Sequence, residues 1–176
     1  MPKLLPNQTS VVIVGGGVVG CSIAYHLVKL GISDVLLLER KQLSSGTTWH
    51  AAGLVGQLRA TQNLTQLAKY STDLYTRLEA ETGQATGFKQ NGSLSLAVNM
   101  ERLEELRRGA SMARVFGVEV EEIGPKDILA KYPLLNIDDV VGGVFLPKDG
   151  QINPSDLTQA LAKGARGGGA TILENT

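Results

Sequence analysis

Three glycines and one carboxylate in this sequence are spaced to hold a dinucleotide. Gly15, Gly17 and Gly20 stand at G-x-G-x-x-G spacing directly behind the apolar, mostly β-branched run Val11-Val12-Ile13-Val14. In a strand–turn–helix unit the first glycine opens the tight turn, and the second lets a pyrophosphate approach the backbone with no Cβ in the way. The third seats the new helix against the strand. The helix start adds free N–H groups and a partial positive charge, both suited to phosphate. Glu39 ends a second apolar run, Val35-Leu36-Leu37-Leu38, about twenty positions beyond the turn. A carboxylate there accepts hydrogen bonds from adenosine ribose hydroxyls and repels a ribose phosphate.

The segment after Glu39 is the second place where chemistry is concentrated. From Arg40 to Gly53 the chain is small, polar and without periodicity, and it contains Trp49, the sole tryptophan, and His50, one of two histidines. Ser44 or Ser45 is placed to cap a short helix starting near Thr47. Two readings fit this composition: a backbone lying close to a flat ligand, or an ordinary connector with a half-buried tryptophan.

The elements that must position these residues follow from periodicity. Ala24 and Leu27 continue the first helix on its packing face, and Gly31 stands at its C-cap. Leu64, Leu67, Ser71, Leu74 and Leu78 repeat at helical spacing up to Gly83, with Tyr70 and Tyr75 as packing aromatics. Leu94, Leu96 and Val98 alternate as a strand after the Asn91-Gly92 turn. Asn99 caps a helix through Val115, closed by Gly117, whose charges suit the dipole and include a Glu104–Arg108 pair. Val118-Glu119-Val120 alternates like a short strand, and Pro125 opens a brief helix with Ile128 and Leu129 that must stop before Pro133. Val140 to Leu146 reads as a strand ended by Lys148-Asp149-Gly150. Asn153-Pro154-Ser155-Asp156 starts a helix with Leu157, Ala160, Leu161 and Ala165 on its apolar face. Gly167-Gly168-Gly169 stops it, and Ala170 to Leu173 begins another apolar strand.

Composition narrows the classes. With 176 residues and 43% hydrophobic residues the chain can bury a substantial core. Lys+Arg and Asp+Glu are both 17, so the balanced charge gives no reason to expect nucleic acid or an anionic membrane as partner. The single cysteine, Cys21, excludes an intrachain disulfide and a cysteine-based metal site, and fits a reducing compartment. It reads as a small core-facing residue, with a reactive thiol as the alternative. The N-terminal residues carry no signal h-region or arginine-rich presequence, and no apolar run has the length of a membrane span. A cytoplasmic protein of bacterial type is expected, with the mitochondrial matrix the alternative if a presequence is missing.

Together these patterns imply an α/β fold: a Rossmann-like core over 1–60 and 150–176, and an inserted α+β segment over 61–149 belonging partly to a substrate domain. The sequence stops as a third parallel strand forms, so the core is expected to be incomplete at its C-terminus, the N-terminal piece of a longer protein or a truncated reading frame.

The run Gly46-Thr47-Thr48-Trp49-His50-Ala51-Ala52-Gly53-Leu54 resembles the sarcosine and dimethylglycine dehydrogenase family, FAD-dependent amine oxidoreductases of the D-amino-acid-oxidase type. The similarity continues through Glu81-Thr82-Gly83, Gly87-Phe88, Asn91-Gly92-Ser93, Tyr132 to Asn136 and Asp149 to Pro154. Leu58-Arg59 is closer to the sarcosine branch. The resemblance implies an FAD-binding domain in which Gly15, Gly17, Val18, Val19, Gly20, Glu39, Arg40, Ser45, Gly46, Thr47, Thr48, Trp49, His50, Ala51, Ala52, Gly53 and Leu54 contact FAD. It also implies that His50 carries the flavin covalently at the C8 methyl carbon. The implied reaction is hydride transfer from an N-methyl group of a small N-methylated amino acid to the flavin. The resulting iminium is hydrolysed to formaldehyde or passed to tetrahydrofolate, and an electron-carrier protein is a further implied partner. The groups facing the substrate are expected beyond Thr176, no metal is implied, and His26 has no counterpart in the family pattern and is read as structural. Taken alone, residues 1–176 are expected to bind FAD poorly and to associate.

A different class competes with the enzyme. The regulatory subunit of pyruvate dehydrogenase phosphatase resembles these dehydrogenases over the same length without being an oxidoreductase. It lacks the Trp-His pair that stands here as Trp49 and His50.

Overall fold

The structure is a computed structural model that describes residues 5–176. In chain order its elements are β1 (Val11–Val14), α1 (Val18–Lys29), β2 (Val35–Glu39), a 3-10 turn (Thr48–His50), β3 (Leu54–Val55), α2 (Gln62–Thr82), β4 (Ser93–Ala97), α3 (Met100–Val115), β5 (Glu121–Ile123), α4 (Pro125–Lys131), β6 (Gly142–Leu146), β7 (Gly150–Gln151), α5 (Pro154–Gly167) and β8 (Thr171–Glu174). They form two compact units. The first holds the chain through Leu54 together with Leu74–Phe88 and Ile152–Thr176; the second holds Val55–Asp73 and Lys89–Gln151.

The first unit is built on a parallel sheet in the order β1-β2-β8. Val11 pairs with Val35 and Val14 with Leu38, while Leu36 pairs with Thr171 and Glu39 with Glu174. Parallel neighbours need a crossover between them, and α1 supplies the one from β1 to β2. Ile13, Leu36, Leu37 and Ile172 of the sheet are buried, as are Cys21, Ala24 and Tyr25 of α1 and Leu157, Ala160, Leu161 and Ala165 of α5. Helices α1 and α5 pack closely because α5 is short of side chains where they meet: a Cβ on Gly164 would stand 2.7 Å from the Tyr25 ring. The last turns of α2 join this unit through Glu81, whose carboxylate accepts from the Tyr25 hydroxyl and pairs with Lys29 Nζ at 2.8 Å and Arg77 Nε at 2.9 Å. Asn153 caps α5 as its type requires, its Oδ1 accepting from the N–H of Ser155 at 3.0 Å and of Asp156 at 3.2 Å. Cys21 is fully buried, and burial pushes its thiol up to about 12. It is a core residue, and the reactive-thiol alternative falls away.

The second unit is an antiparallel sheet in the order β4-β6-β5 with α3 packed on it. Ala110, Ala113, Val118, Val144 and Leu146 form its core, with Leu58, Leu106 and Val120 against them. Asn99 caps α3 by accepting the Arg102 N–H at 2.8 Å, and the Glu104–Arg108 pair closes at 3.7 Å. Asp149 is buried, its carboxylate accepting from the Gln57 N–H at 2.8 Å and the Ser93 hydroxyl at 2.7 Å.

Two local expectations are corrected here. Val118-Glu119-Val120 is not a strand: the Val118 N–H goes to the Ala113 carbonyl at 2.8 Å and finishes α3 past Gly117, so the ladder begins at Glu121. The strand expected from Val140 begins at Gly142, because the Val140 N–H is taken by Ile137 in the preceding turn.

Candidate functional site

The glycine turn is built as its spacing requires. The Gly15 N–H donates to the Leu38 carbonyl at 2.8 Å, joining the start of the turn to β2. A Cβ on Gly20 would lie 2.0 Å from the Gly15 carbonyl oxygen, so the helix crosses the turn at a distance only glycine permits. Gly16 contributes as well: it is buried, its N–H donates to Glu39 Oε2 at 2.7 Å, and a Cβ there would stand 2.5 Å from Leu43 Cδ2. Gly17 sits at the N-cap of α1 with no cap of its own, and the Val18 N–H is instead taken by Thr48 Oγ1 at 3.0 Å. The N–H groups of Gly17, Val19 and Gly20 have no protein acceptor among the described residues. They remain for an external anion at a positive helix end, which is the donor set a pyrophosphate needs.

Glu39 is oriented by two backbone donors. Oε2 takes the Gly16 N–H and Oε1 takes the Lys41 N–H at 2.8 Å. These bonds, Gly16 first and Lys41 second, hold its carboxyl below the ordinary glutamate range. The carboxylate is therefore ionised at neutral pH, with lone pairs remaining for hydroxyl donors.

The loop that follows is tied back to the turn. Ser44, at φ 65°, donates its N–H to the Gly16 carbonyl at 3.0 Å. Leu43, the lone apolar residue in a polar stretch, is buried, and its N–H reaches Glu174 Oε1 at 2.8 Å. A short helical turn does form near Thr47, but neither Ser44 nor Ser45 caps it; Thr47 holds the N-cap position without a side-chain bond. Within the turn Trp49 and His50 stack with ring centroids 3.9 Å apart at 35°. Trp49 is 58% exposed, more open than the half-buried residue expected of a plain connector, and His50 is exposed beside it. Gly53, at φ 75°, ends the loop: its carbonyl accepts the Ile152 N–H at 2.8 Å, and a Cβ would meet Ile152 O at 2.1 Å.

The structure thus joins Gly15 to Gly20, Glu39 and the Ser44–Thr48 segment by direct hydrogen bonds, with Trp49 and His50 on the next turn of chain. Val19 and Leu54 present open apolar surface at 69% and 80% exposure. Arg40, Ser45, Gly46, Ala51 and Ala52 lie exposed along the loop, and Val18 is half-buried. His26 stands apart, its Nδ1 bonded to the Ser22 carbonyl of its own helix at 2.7 Å. Gly16, Leu43 and Ser44 are the contributors that spacing did not single out. The uninterrupted Gly15-Gly16-Gly17 and the one apolar residue in the 40–48 stretch were the available signals for the first two; Ser44 had none.

These residues fit an FAD. A turn that a Cβ would fill, three free N–H donors at a helix start and an oriented carboxylate suit its ADP half, and exposed apolar and aromatic groups suit its ring.

Comparison with known proteins agrees. Residues 10–176 match the family model described as FAD dependent oxidoreductase. The chain is 44% identical over 172 residues to mitochondrial sarcosine dehydrogenase of Homo sapiens, covering 97% of this chain and 19% of that protein. It is 42% identical over 172 residues to the mitochondrial pyruvate dehydrogenase phosphatase regulatory subunit of Mus musculus, covering 98% of this chain and 20% of that one. Among solved structures, L-proline dehydrogenase from P. horikoshii matches with a TM-score of 0.90 at 32% identity, over 97% of this chain and 45% of that chain. The chain therefore spans about a fifth of the length of these two curated relatives. By its match over 10–176 and by its glycine turn with Glu39, the chain belongs to the FAD-dependent oxidoreductase family.

Proposed function

We propose that this chain is the FAD-holding part of an amine dehydrogenase that oxidatively demethylates a small N-methylated amino acid such as sarcosine or dimethylglycine. The single observation that carries this reading is the pair of hydrogen bonds that lock Glu39 to Gly16 and Thr48 to Val18. They set a ribose acceptor and the Trp49-His50 turn around one set of free helix N–H groups.

In this reading Gly17, Val19 and Gly20 donate to the pyrophosphate, and Glu39 accepts from the adenosine ribose. Arg40, Ser45, Gly46 and Thr47 line the path between them and Trp49, and Ala51, Ala52, Gly53 and Leu54 continue it. His50 would hold the flavin covalently, its imidazole nitrogen replacing a hydrogen of the ring's C8 methyl group, with the proton lost to solvent and the electron pair passed through the ring to the electron acceptor; its exposure on the 3-10 turn leaves it accessible. When bound, the flavin supplies the hydride acceptor, and the protein supplies position and electrostatics. The identity to sarcosine dehydrogenase supports the substrate class. Tetrahydrofolate and an electron-carrier protein are proposed as partners that take the one-carbon unit and the electrons, and the cytoplasm as the compartment.

The test is amine-dependent reduction of a dye by the protein containing this chain, with sarcosine and dimethylglycine offered in turn. Reduction that requires an N-methylated amino acid supports the enzyme. A second reading, a non-catalytic regulatory homologue, draws on the 42% identity to the phosphatase regulatory subunit. Protein that holds no flavin and reduces no dye with any N-methylated amine would favour it.

A further inference from the structure

Thr48 lies in the loop segment already assigned to the cofactor, yet its hydroxyl does something particular. Its Oγ1 accepts the N–H of Val18, the first residue of α1, at 3.0 Å across 30 positions of sequence. A helix start is ordinarily capped by the residue before it. Here that residue is Gly17, which has no side chain to offer and whose added Cβ would stand 3.0 Å from Thr48 Oγ1. The glycine that leaves room for a pyrophosphate also leaves the N–H groups of Val19 and Gly20 uncapped, while Thr48 takes that of Val18 from outside the helix.

We infer that Thr48 is a positioning residue: its hydroxyl latches the first turn of α1 to the 3-10 turn that carries Trp49 and His50. Two consequences follow from the geometry. The Val18 N–H is withdrawn from the donors offered to phosphate, which leaves those of Gly17, Val19 and Gly20. And the base of the Trp49-His50 turn is held at a fixed point relative to those donors, so the distance from phosphate to imidazole is set by the protein before any cofactor arrives. The inference rests on the flavin-binding reading above for what the latch serves, and on the Val18–Thr48 bond alone for its existence.

The test uses the protein containing this chain, prepared without flavin, in wild-type, Thr48→Val and Thr48→Ser forms. Valine keeps the shape and removes the acceptor; serine keeps the acceptor. The first readout is the time course of flavin fluorescence that stays with the denatured polypeptide after FAD is added. Thr48→Val is expected to slow it by roughly tenfold, the weight of one half-buried hydrogen bond, with Thr48→Ser near wild type. The second readout is FAD affinity in a His50→Ala background, which Thr48→Val is expected to change by less than its effect on attachment. Equal losses in both would show an ordinary phosphate contact and overturn the latch. The third is hydrogen exchange at the Val18 amide without FAD, expected to quicken in Thr48→Val and not in Thr48→Ser. Unchanged exchange overturns the latch whether or not flavin becomes covalent, whereas a wild-type protein that never retains flavin after denaturation counts against the His50 tether and leaves the exchange result to decide the latch.

Discussion

Glu39 is bound to the backbone of Gly16 at 2.7 Å, so the residue that ends β2 and the residue in the middle of the glycine turn are one hydrogen-bonded unit. The carboxylate is aimed by the same turn whose N–H groups face outward, and a ligand meeting one meets the other. Replacing Glu39 with Gln keeps an acceptor oxygen and removes the charge that two N–H donors stabilise. Weaker FAD binding by about tenfold is expected from the loss of charge-assisted bonds to ribose, measured as the FAD dissociation constant of the full-length protein.

Gly20 is the residue least able to change. A methyl group there would stand 2.0 Å from the Gly15 carbonyl oxygen, a backbone atom of a residue tied to β2 by its own N–H. Gly20→Ala is expected to cost about 2–3 kcal/mol or more through overpacking, read as a lower denaturant midpoint, with FAD binding lost as the turn opens. Gly46→Ala is the control: its Cβ meets nothing within 4 Å, and stability should stay near wild type.

Glu81 gives the first unit a pH dependence. Its hydrogen bond from Lys29, that from Tyr25 and the ion pair with Arg77 hold the carboxyl down from an ordinary 4.5 to about 2. A carboxyl depressed by folding contributes stability that is present above its unfolded value and lost as pH falls through its folded one. Wild-type stability should therefore decline between about pH 4.5 and about pH 2. Glu81→Gln should flatten that decline and lower stability at pH 7 by about 1–2 kcal/mol, a figure reduced for its partial exposure. Thermal unfolding across that pH range checks both.

Asp149 plays the corresponding structural part in the second unit. Its two oxygens accept from the Gln57 N–H and the Ser93 hydroxyl in a buried place, so Asp149→Ala leaves two donors unpaired. A loss of about 2–4 kcal/mol is expected on denaturant unfolding, with Ser93→Ala costing about 1 kcal/mol.

The sequence was most legible where backbone geometry restricts residue type. The glycine spacing, the Asn99 and Asn153 caps and the Pro125 start each name a conformation few residues support, and each element begins where those residues place it. Val118-Glu119-Val120 misled because alternation over three residues costs a helix end nothing: Val118 is buried beneath α3 while its N–H completes the turn after Gly117. The docking of the last turns of α2 through Glu81 was invisible, since an ion pair to Lys29 across more than 50 positions leaves no local pattern. The loop from Arg40 to Gly53 showed its composition but not its ties. Ser44 to Gly16 and Thr48 to Val18 run between segments far apart in sequence, and nothing in the type of Ser44 announces a left-handed backbone.

The most direct test of the flavin-binding account is the mass of one peptide. Trypsin cleaves after Lys41 and Arg59, releasing residues 42–59 with His50 inside. From the protein containing this chain, isolated with its native flavin and denatured before digestion, this peptide is expected to be heavier by one FAD less two hydrogens, with fragmentation placing the addition on His50. His50→Ala should return it to the unmodified mass. An unmodified wild-type peptide, or a flavin attached elsewhere in the chain, would contradict the covalent tether at His50.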